Sequence, residues 1–268
     1  MSQPWMQFLG HASVLVELGG LRILTDPVLR HRVTFLRRVA ERRDLSDLGR
    51  LDAVVISHMH HDHVDVPSLR LLPNDVPLLV PQGSRPFFTR LGFTDIQVMP
   101  VGRTWQLAQS TASERAEAPP GLRITATPAD HVGNRTPFSP RTESIGYLLE
   151  SGPASVYFAG DTDIFEGMSD IHPSLDVALL PVWGWGPNIG PGHLNPERAA
   201  EALCLLRPRY AVPIHWGTLF PLGLRRLGRR VNSVLERPPL EFVEAAARTY
   251  PECRVLVTRP GEVVEFTP

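Results

Sequence analysis

Short runs of Val, Ile, Leu and aromatic residues recur along this chain, each bounded by Gly, Pro, Asp or Ser. Residues 13–18, 21–25, 53–57, 77–80, 96–100, 104–108, 122–127, 145–150, 155–159, 177–181, 210–214, 254–258 and 263–266 read as strands. Helical signals are confined to 67–72, 84–91, 196–206 and 239–249. In the third, Asn195 stands as N-cap before Pro196 at the first helical position. The first two apolar runs are joined only by Gly19-Gly20, which suits an antiparallel hairpin and leaves no room for a parallel crossover. Strands that dominate both halves, punctuated by helices, predict an α/β (α+β) chain of two sheets packed face to face with helices outside. Residues 110–121 are weakly patterned and read as a surface loop. No internal repeat is visible, and residues 1–268 read as a single domain.

Composition narrows the function. A hydrophobic content of 43% is ample for a core, and a formal net charge of -1 supplies no global field for nucleic acid. Every cationic residue is Arg, so Lys is excluded as Schiff-base former, nucleophile or phosphate binder. The opening MSQPWMQFLGHASVLVELGG lacks the basic segment and long apolar run of a secretory signal, and no apolar stretch approaches the roughly 18 residues of a membrane span. A cytoplasmic location is expected. Cys204 and Cys253 are too few for a disulfide framework and read as buried free thiols. Two Arg-rich stretches, 29–43 and 224–230, are candidates for an anionic surface, but have too few large apolar residues for a membrane helix.

The candidate chemistry lies where strands end. After DAVVIS comes HMHHDH, so His58, His60, Asp62 and His63 leave one strand together. Imidazoles and a carboxylate at this spacing suit adjacent cations such as zinc with room for water. Three further candidates also follow apolar runs: His131 after LRITATPAD, Asp161 after SVYFAG and His215 after YAVPI. Each alone reads equally well as a loop residue or cap; together they complete one site.

HMHHDH and the later His, Asp and His resemble the HxHxDH signature and ligand order of the metallo-β-lactamase superfamily. Within it, LGHASVLVE with His11, LTDPV with Asp26, ISHMHHDHVD, FAGDTD, GHLNPERAA with His193, and IHWGT with His215 are most similar to one branch. It contains N-acyl-phosphatidylethanolamine phospholipase D and the ascorbate-6-phosphate lactonase-like proteins. The resemblance covers nearly the whole chain. It implies an αββα sandwich with the site at one edge between the sheets. It also implies one divalent ion on His58, His60 and His131, a second on Asp62, His63 and His215, and Asp161 bridging them. Zinc is the first expectation, with iron or manganese accepted by the same ligands. Such a pair would generate hydroxide from water at neutral pH, with Asp161, Asp62 and His193 as catalytic residues. The substrate would be a small phosphodiester, phosphorylated molecule, ester or lactone.

Two alternatives differ in kind. Diiron oxidoreductases of this fold usually carry a carboxylate where His60 stands and append a flavin domain, for which no residues remain. A non-catalytic metal-binding module would be expected to lose ligands, and all seven are present.

The neighbouring residues have competing readings. His193 is a proton donor or phosphate contact, or an anchor for the following helix. His11 and Asp26 hold the first hairpin against the ligand loop. His61 points outwards, and His31 and His172 belong to no motif. Trp183 and Trp185 form an aromatic wall over a cleft or satellites of the core. Arg135 and Arg141 bind phosphate or are solvated. Oligomeric state is not legible.

Overall fold

The structure, a computed structural model, describes residues 3–40, 48–107, 121–136, 139–183, 190–222 and 229–268. In chain order it forms β1 (Trp5–Gly10), β2 (Ser13–Leu18), β3 (Leu21–Thr25), β4 (Arg32–Val33), β5 (Leu36–Arg38), β6 (Ala53–Val55), α1 (Val66–Leu69), β7 (Leu78–Pro81), α2 (Arg85–Arg90), β8 (Ile96–Met99) and β9 (Thr104–Leu107). There follow β10 (Leu122–Pro128), β11 (Ile145–Ser151), β12 (Ala154–Phe158), β13 (Val177–Pro181), α3 (Pro196–Leu206), β14 (Tyr210–Ile214), β15 (Leu219–Pro221), α4 (Arg229–Thr249), β16 (Arg254–Val255) and β17 (Val263–Glu265).

Side-chain alternation explains the layering. Val14, Val16 and Leu18 of β2 face one core with Tyr147, Phe158 and Leu179 of the other sheet, while Leu15 faces a second core beneath α1 and α2. Ala53 and Val55 likewise face the first core, and Val54 and Ile56 the second. Each strand is therefore apolar on both faces, as the middle layer of a stack requires. On the far side, Ala199, Leu203 and Leu206 of α3 and Phe242, Ala245 and Ala246 of α4 cover the second sheet. The result is the expected helix, sheet, sheet, helix order.

Both main sheets have seven strands, ordered β17-β1-β2-β3-β6-β7-β8 and β9-β10-β11-β12-β13-β14-β16. Read in those directions, each has three antiparallel pairings followed by three parallel ones. The halves repeat a pairing scheme that their sequences do not repeat. The Gly19-Gly20 hairpin forms as expected: both glycines have positive φ, 60° and 83°, which a tight two-residue turn between twisted strands needs.

Three differences from the sequence expectation have local causes. β1 carries Gln7 within its apolar run, and β4, β5 and β15 have only two or three residues each, too short for periodicity. Helix α4 begins ten residues before Pro239 and continues through Pro238 and Pro239, which remove two backbone donors from its interior. Cys204 is exposed, because the buried face of α3 runs through Ala199, Ala200, Ala202, Leu203 and Leu206 and passes it by; Cys253 is buried. Residues 110–120 of the expected surface loop lie outside the described residues.

Candidate metal centre

β6 leaves the first sheet through Ile56 and Ser57, held on either side by Ile56 N–H to Leu79 O (2.9 Å) and Ile145 N–H to Ser57 O (3.0 Å). The chain then turns on the His60 carbonyl, which accepts from His63 N (3.1 Å) and Val64 N (2.8 Å). Asp65 ends the loop by capping α1, accepting from Ser68 N at 3.0 Å while Arg30 pairs with both its oxygens at 2.8 Å. Arg135 Nη1 donates to Val64 O (3.0 Å) and Met59 O (3.3 Å), and its guanidinium lies 4.7 Å from the Phe87 ring centre. Arg135 thus braces the loop from beneath.

The second half delivers one candidate per strand end: His131 after β10, Asp161 after β12 and His215 after β14. Gly160 lets the Asp161 loop come close, since a Cβ there would stand 2.5 Å from the Ser57 Cβ and its φ is 62°. His11, Asp26 and His215 also have positive φ, at 58°, 28° and 62°.

The strand ends converge on two adjoining clusters, and a third group, Asp26, His58 and His63, spans them. His58, His60, His131 and Asp161 form one, and His11, Asp62, His63 and His215 the other, each with its ligand atoms within 4.8 Å of one another. Asp161 lies between them, with Oδ2 3.3 Å from His63 Nε2 and 3.9 Å from His58 Nε2, and Oδ1 3.4 Å from His215 Nε2. All seven sequence-predicted residues are here. His11 is the addition: its Nε2 lies 3.0 Å from Asp62 Oδ2, inside the cluster. The LGHAS motif marked it as a support for the ligand loop, but not as a member of a ligand cluster.

Hydrogen bonds on the far ring nitrogens decide what these histidines present. Nδ1 of His131 faces Gly192 O at 2.8 Å, and Nδ1 of His215 faces Trp183 O. Nδ1 of His63 faces Asp26 Oδ2 at 2.7 Å, and Nδ1 of His58 faces the Ser57 hydroxyl at 2.9 Å. A carbonyl or carboxylate only accepts, so the contacts of His131, His215 and His63 place a proton on Nδ1 and turn Nε2 inwards. His60 approaches the other way, with Nδ1 3.2 Å from His131 Nε2. His58 Nε2, His63 Nε2 and Asp161 Oδ1 are buried without a hydrogen bond. Buried polar atoms left so are costly, and a cation is the species that would satisfy several at once. The donor set therefore fits a bound metal.

The electrostatics divide the histidines into two groups. Burial, reinforced by neighbouring imidazoles, lowers His58 well below its ordinary range, His60 to about 4 and His11 to about 3. Neutral imidazole is the ligating form. Burial would raise Asp161 and Asp62, but the histidines around them hold both carboxyls well below their usual range. Burial would lower His63 and His215, but Asp161, with Asp26 beside His63 and Asp62 beside His215, outweighs it and raises both.

His193 stands at the rim, with Nε2 4.0 Å from Asp161 Oδ2 and its ring 4.6 Å from that of His131. A cleft of about 610 Å³ opens beside His131, lined by Val101, Val132, Asn134, Arg141 and Glu143. His61 is half-buried and belongs to neither cluster; His31 is exposed, and His172 lies 3.7 Å from Glu150. Trp183 is buried in the main core, so its ring is not a wall over the cleft, and Trp185 lies outside the described residues. Of the Arg-rich stretch 29–43, Arg38 is buried and donates to Leu9 O and Val28 O, while most of 224–230 lies outside the described residues. Among the described residues no helix is long and apolar enough to cross a membrane.

Residues 21–216 match the Beta-lactamase superfamily domain. The chain is 31% identical over 233 residues to N-acyl-phosphatidylethanolamine-hydrolyzing phospholipase D 1 of Caenorhabditis elegans, covering 81% of this chain but only 64% of that protein. It is 30% identical to a UPF0173 metal-dependent hydrolase of Pyrobaculum aerophilum, across 97% of this chain and 99% of the relative. Among solved structures, the metallo hydrolase Igni18 of Ignicoccus hospitalis superposes with a TM-score of 0.70 at 24% identity, covering 99% of each chain. The chain belongs to the metallo-β-lactamase superfamily, and it is a metal-dependent hydrolase of that fold.

Proposed function

We propose that this protein hydrolyses a small phosphodiester, phosphorylated molecule, ester or lactone at a dinuclear centre. His58, His60 and His131 would hold one ion, Asp62, His63 and His215 the other, and Asp161 would bridge them. The observation that carries the reading is the convergence of unsatisfied buried atoms, His58 Nε2, His63 Nε2 and Asp161 Oδ1, between the two clusters. Imidazole and carboxylate donors favour zinc, with iron or manganese compatible. Bound divalent cations would supply a Lewis acid and water acidified towards neutral pH.

The chain's own groups do the rest. Asp161, reaching both clusters, fixes their separation and offsets positive charge between them. Asp62 is steadied by His11 and lies 3.6 Å from His215 Nε2. His193, partly exposed at the rim, is placed to carry a proton to a leaving oxygen. The cleft beside His131 offers Val101 and Val132 to an apolar group and Arg141 to an anionic one. Phosphodiesters lead the substrate classes because of kinship with the Caenorhabditis elegans phospholipase.

Metal analysis of the purified protein, with turnover on a panel of phosphodiesters, lactones and thioesters, tests this reading. Two ions per chain and metal-dependent hydrolysis are expected. A protein that binds no metal and hydrolyses none of the panel overturns it.

A further inference from the structure

The three-stranded sheet β4-β5-β15 is separate from the two main sheets, and the proposed chemistry does not use it. We propose that its outer face, with Arg32, Arg37, Phe35 and Leu222, docks the protein onto an anionic lipid surface. The inference does not depend on what the metal centre hydrolyses.

The two faces of this sheet differ in kind. Val33 and Leu36 turn inwards and join Val28 and Leu219 in a small core. On the other face the register sets Arg32 directly opposite Arg37, and Arg37 opposite Phe220. Like charges so placed repel. Arg32 Nε donates to the Thr34 carbonyl at 3.0 Å, and among the described residues neither arginine meets a carboxylate. Residues 28–39 hold four arginines and no acid in a chain of net charge -1. Two of the four are committed inside: Arg30 pairs with Asp65, and Arg38 is buried against the carbonyls of Leu9 and Val28. Arg32 and Arg37 stay exposed, and an external anion is what would offset them.

The hairpin tip supplies the apolar half. Phe35 is 66% exposed and Leu222 42%, and Leu222 N–H donates to Phe35 O at 2.9 Å, which holds the two residues side by side. An open phenyl ring and a leucine beside arginines have the chemistry of an interfacial anchor, apolar groups entering the acyl boundary while guanidinium meets lipid phosphate. Nucleic acid would match the arginines but not the leucine. The patch is also tied to the metal centre. Val39 N–H donates to Thr218 O at 2.8 Å, Thr218 Oγ1 accepts from His11 N–H at 2.7 Å, and His11 O accepts from His215 N–H at 2.7 Å. A surface held at the hairpin therefore fixes how the centre faces it.

Co-sedimentation of the full-length, metal-free protein with vesicles tests the docking face. The protein should stay in solution with phosphatidylcholine alone and sediment when phosphatidylglycerol is mixed in, and high salt should release it. Arg32→Gln combined with Arg37→Gln should lower the partition coefficient about 25-fold, about 5-fold for each arginine. Phe35→Ser should lower it about 10-fold. Arg70→Gln combined with Arg90→Gln, which removes the same charge from exposed positions elsewhere, should leave it nearly unchanged. Circular-dichroism melts confirm that each variant is folded. Wild-type protein that ignores the anionic vesicles overturns the proposal, as does an equal fall in the Arg70 and Arg90 variant or binding that survives Phe35→Ser. Tighter binding to duplex RNA than to the vesicles also overturns it and makes this face a nucleic-acid surface instead.

Discussion

The two halves of the molecule put a histidine and an aspartate at matching places and use them differently. His11 and His131 follow the second strand of their sheets in the shared pairing order, and Asp26 and Asp161 follow the fourth. Asp26 accepts three hydrogen bonds from the protein, whereas Asp161 Oδ1 is buried with none. His131 ties Nδ1 to a backbone carbonyl and turns Nε2 to the centre, while His11 directs Nε2 at Asp62. In the first half the pair supports ligands; in the second it is free to bind. What separates a supporting residue from a binding one is whether the fold has already satisfied its polar atoms.

The sharpest way to break this contrast is Asp161→Ala. It should lower turnover by about 10³-fold or more, the scale for removing a preorganised charge from a site, with the circular-dichroism melt little changed. Near-wild-type turnover in the metal-saturated variant would remove Asp161 from the centre. Next, His131→Ala should lose a bound ion outright. His11→Ala should keep both ions, with affinity reduced about 10–100-fold through Asp62. Equal metal loss in the two variants, measured by mass spectrometry, would make His11 a ligand and erase the distinction.

His193→Ala should leave metal content intact and reduce kcat about 10²-fold, as loss of a proton carrier does. Loss of metal would make His193 a structural residue. A further expectation concerns pH. His63 and His215 are raised above the ordinary histidine value in the metal-free protein, so protons compete with a cation for them. Affinity should fall as pH drops through the ordinary histidine range near 6.5 and rise as pH climbs through the raised values. Zinc titration calorimetry at pH 7 in buffers of different ionisation heat should register proton release; heats independent of buffer would contradict it.

Much of this was legible because the candidate ligands follow apolar runs that periodicity finds. HMHHDH, PAD-His131, FAG-Asp161 and VPI-His215 need only the strands to meet, and the structure brings all seven residues together. Other features had no signature to read. The carbonyls of Gly192 and Trp183 orient His131 and His215, and a backbone carbonyl is the same in every residue. Trp183 read as an aromatic wall or a satellite of the core; its ring is buried in the core, and only its carbonyl faces the site. Arg135 read as a phosphate contact or a solvated side chain, but its partners are carbonyls some seventy residues upstream. The matched pairing order of the sheets exists only as topology.

The left-handed backbone at His215, with φ near 62°, has a consequence for how this centre persists over generations. A side chain with a Cβ costs on the order of 1 kcal/mol in that conformation, and glycine does not. In metal-free protein His215→Gly should therefore melt above His215→Ala, the reverse of the usual ranking; an Ala variant that melts higher would refute the strain. A lineage released from its chemistry would drift towards glycine here and fold better for it. The ligand proposed at position 215 thus stands on a backbone conformation that glycine would adopt at lower cost.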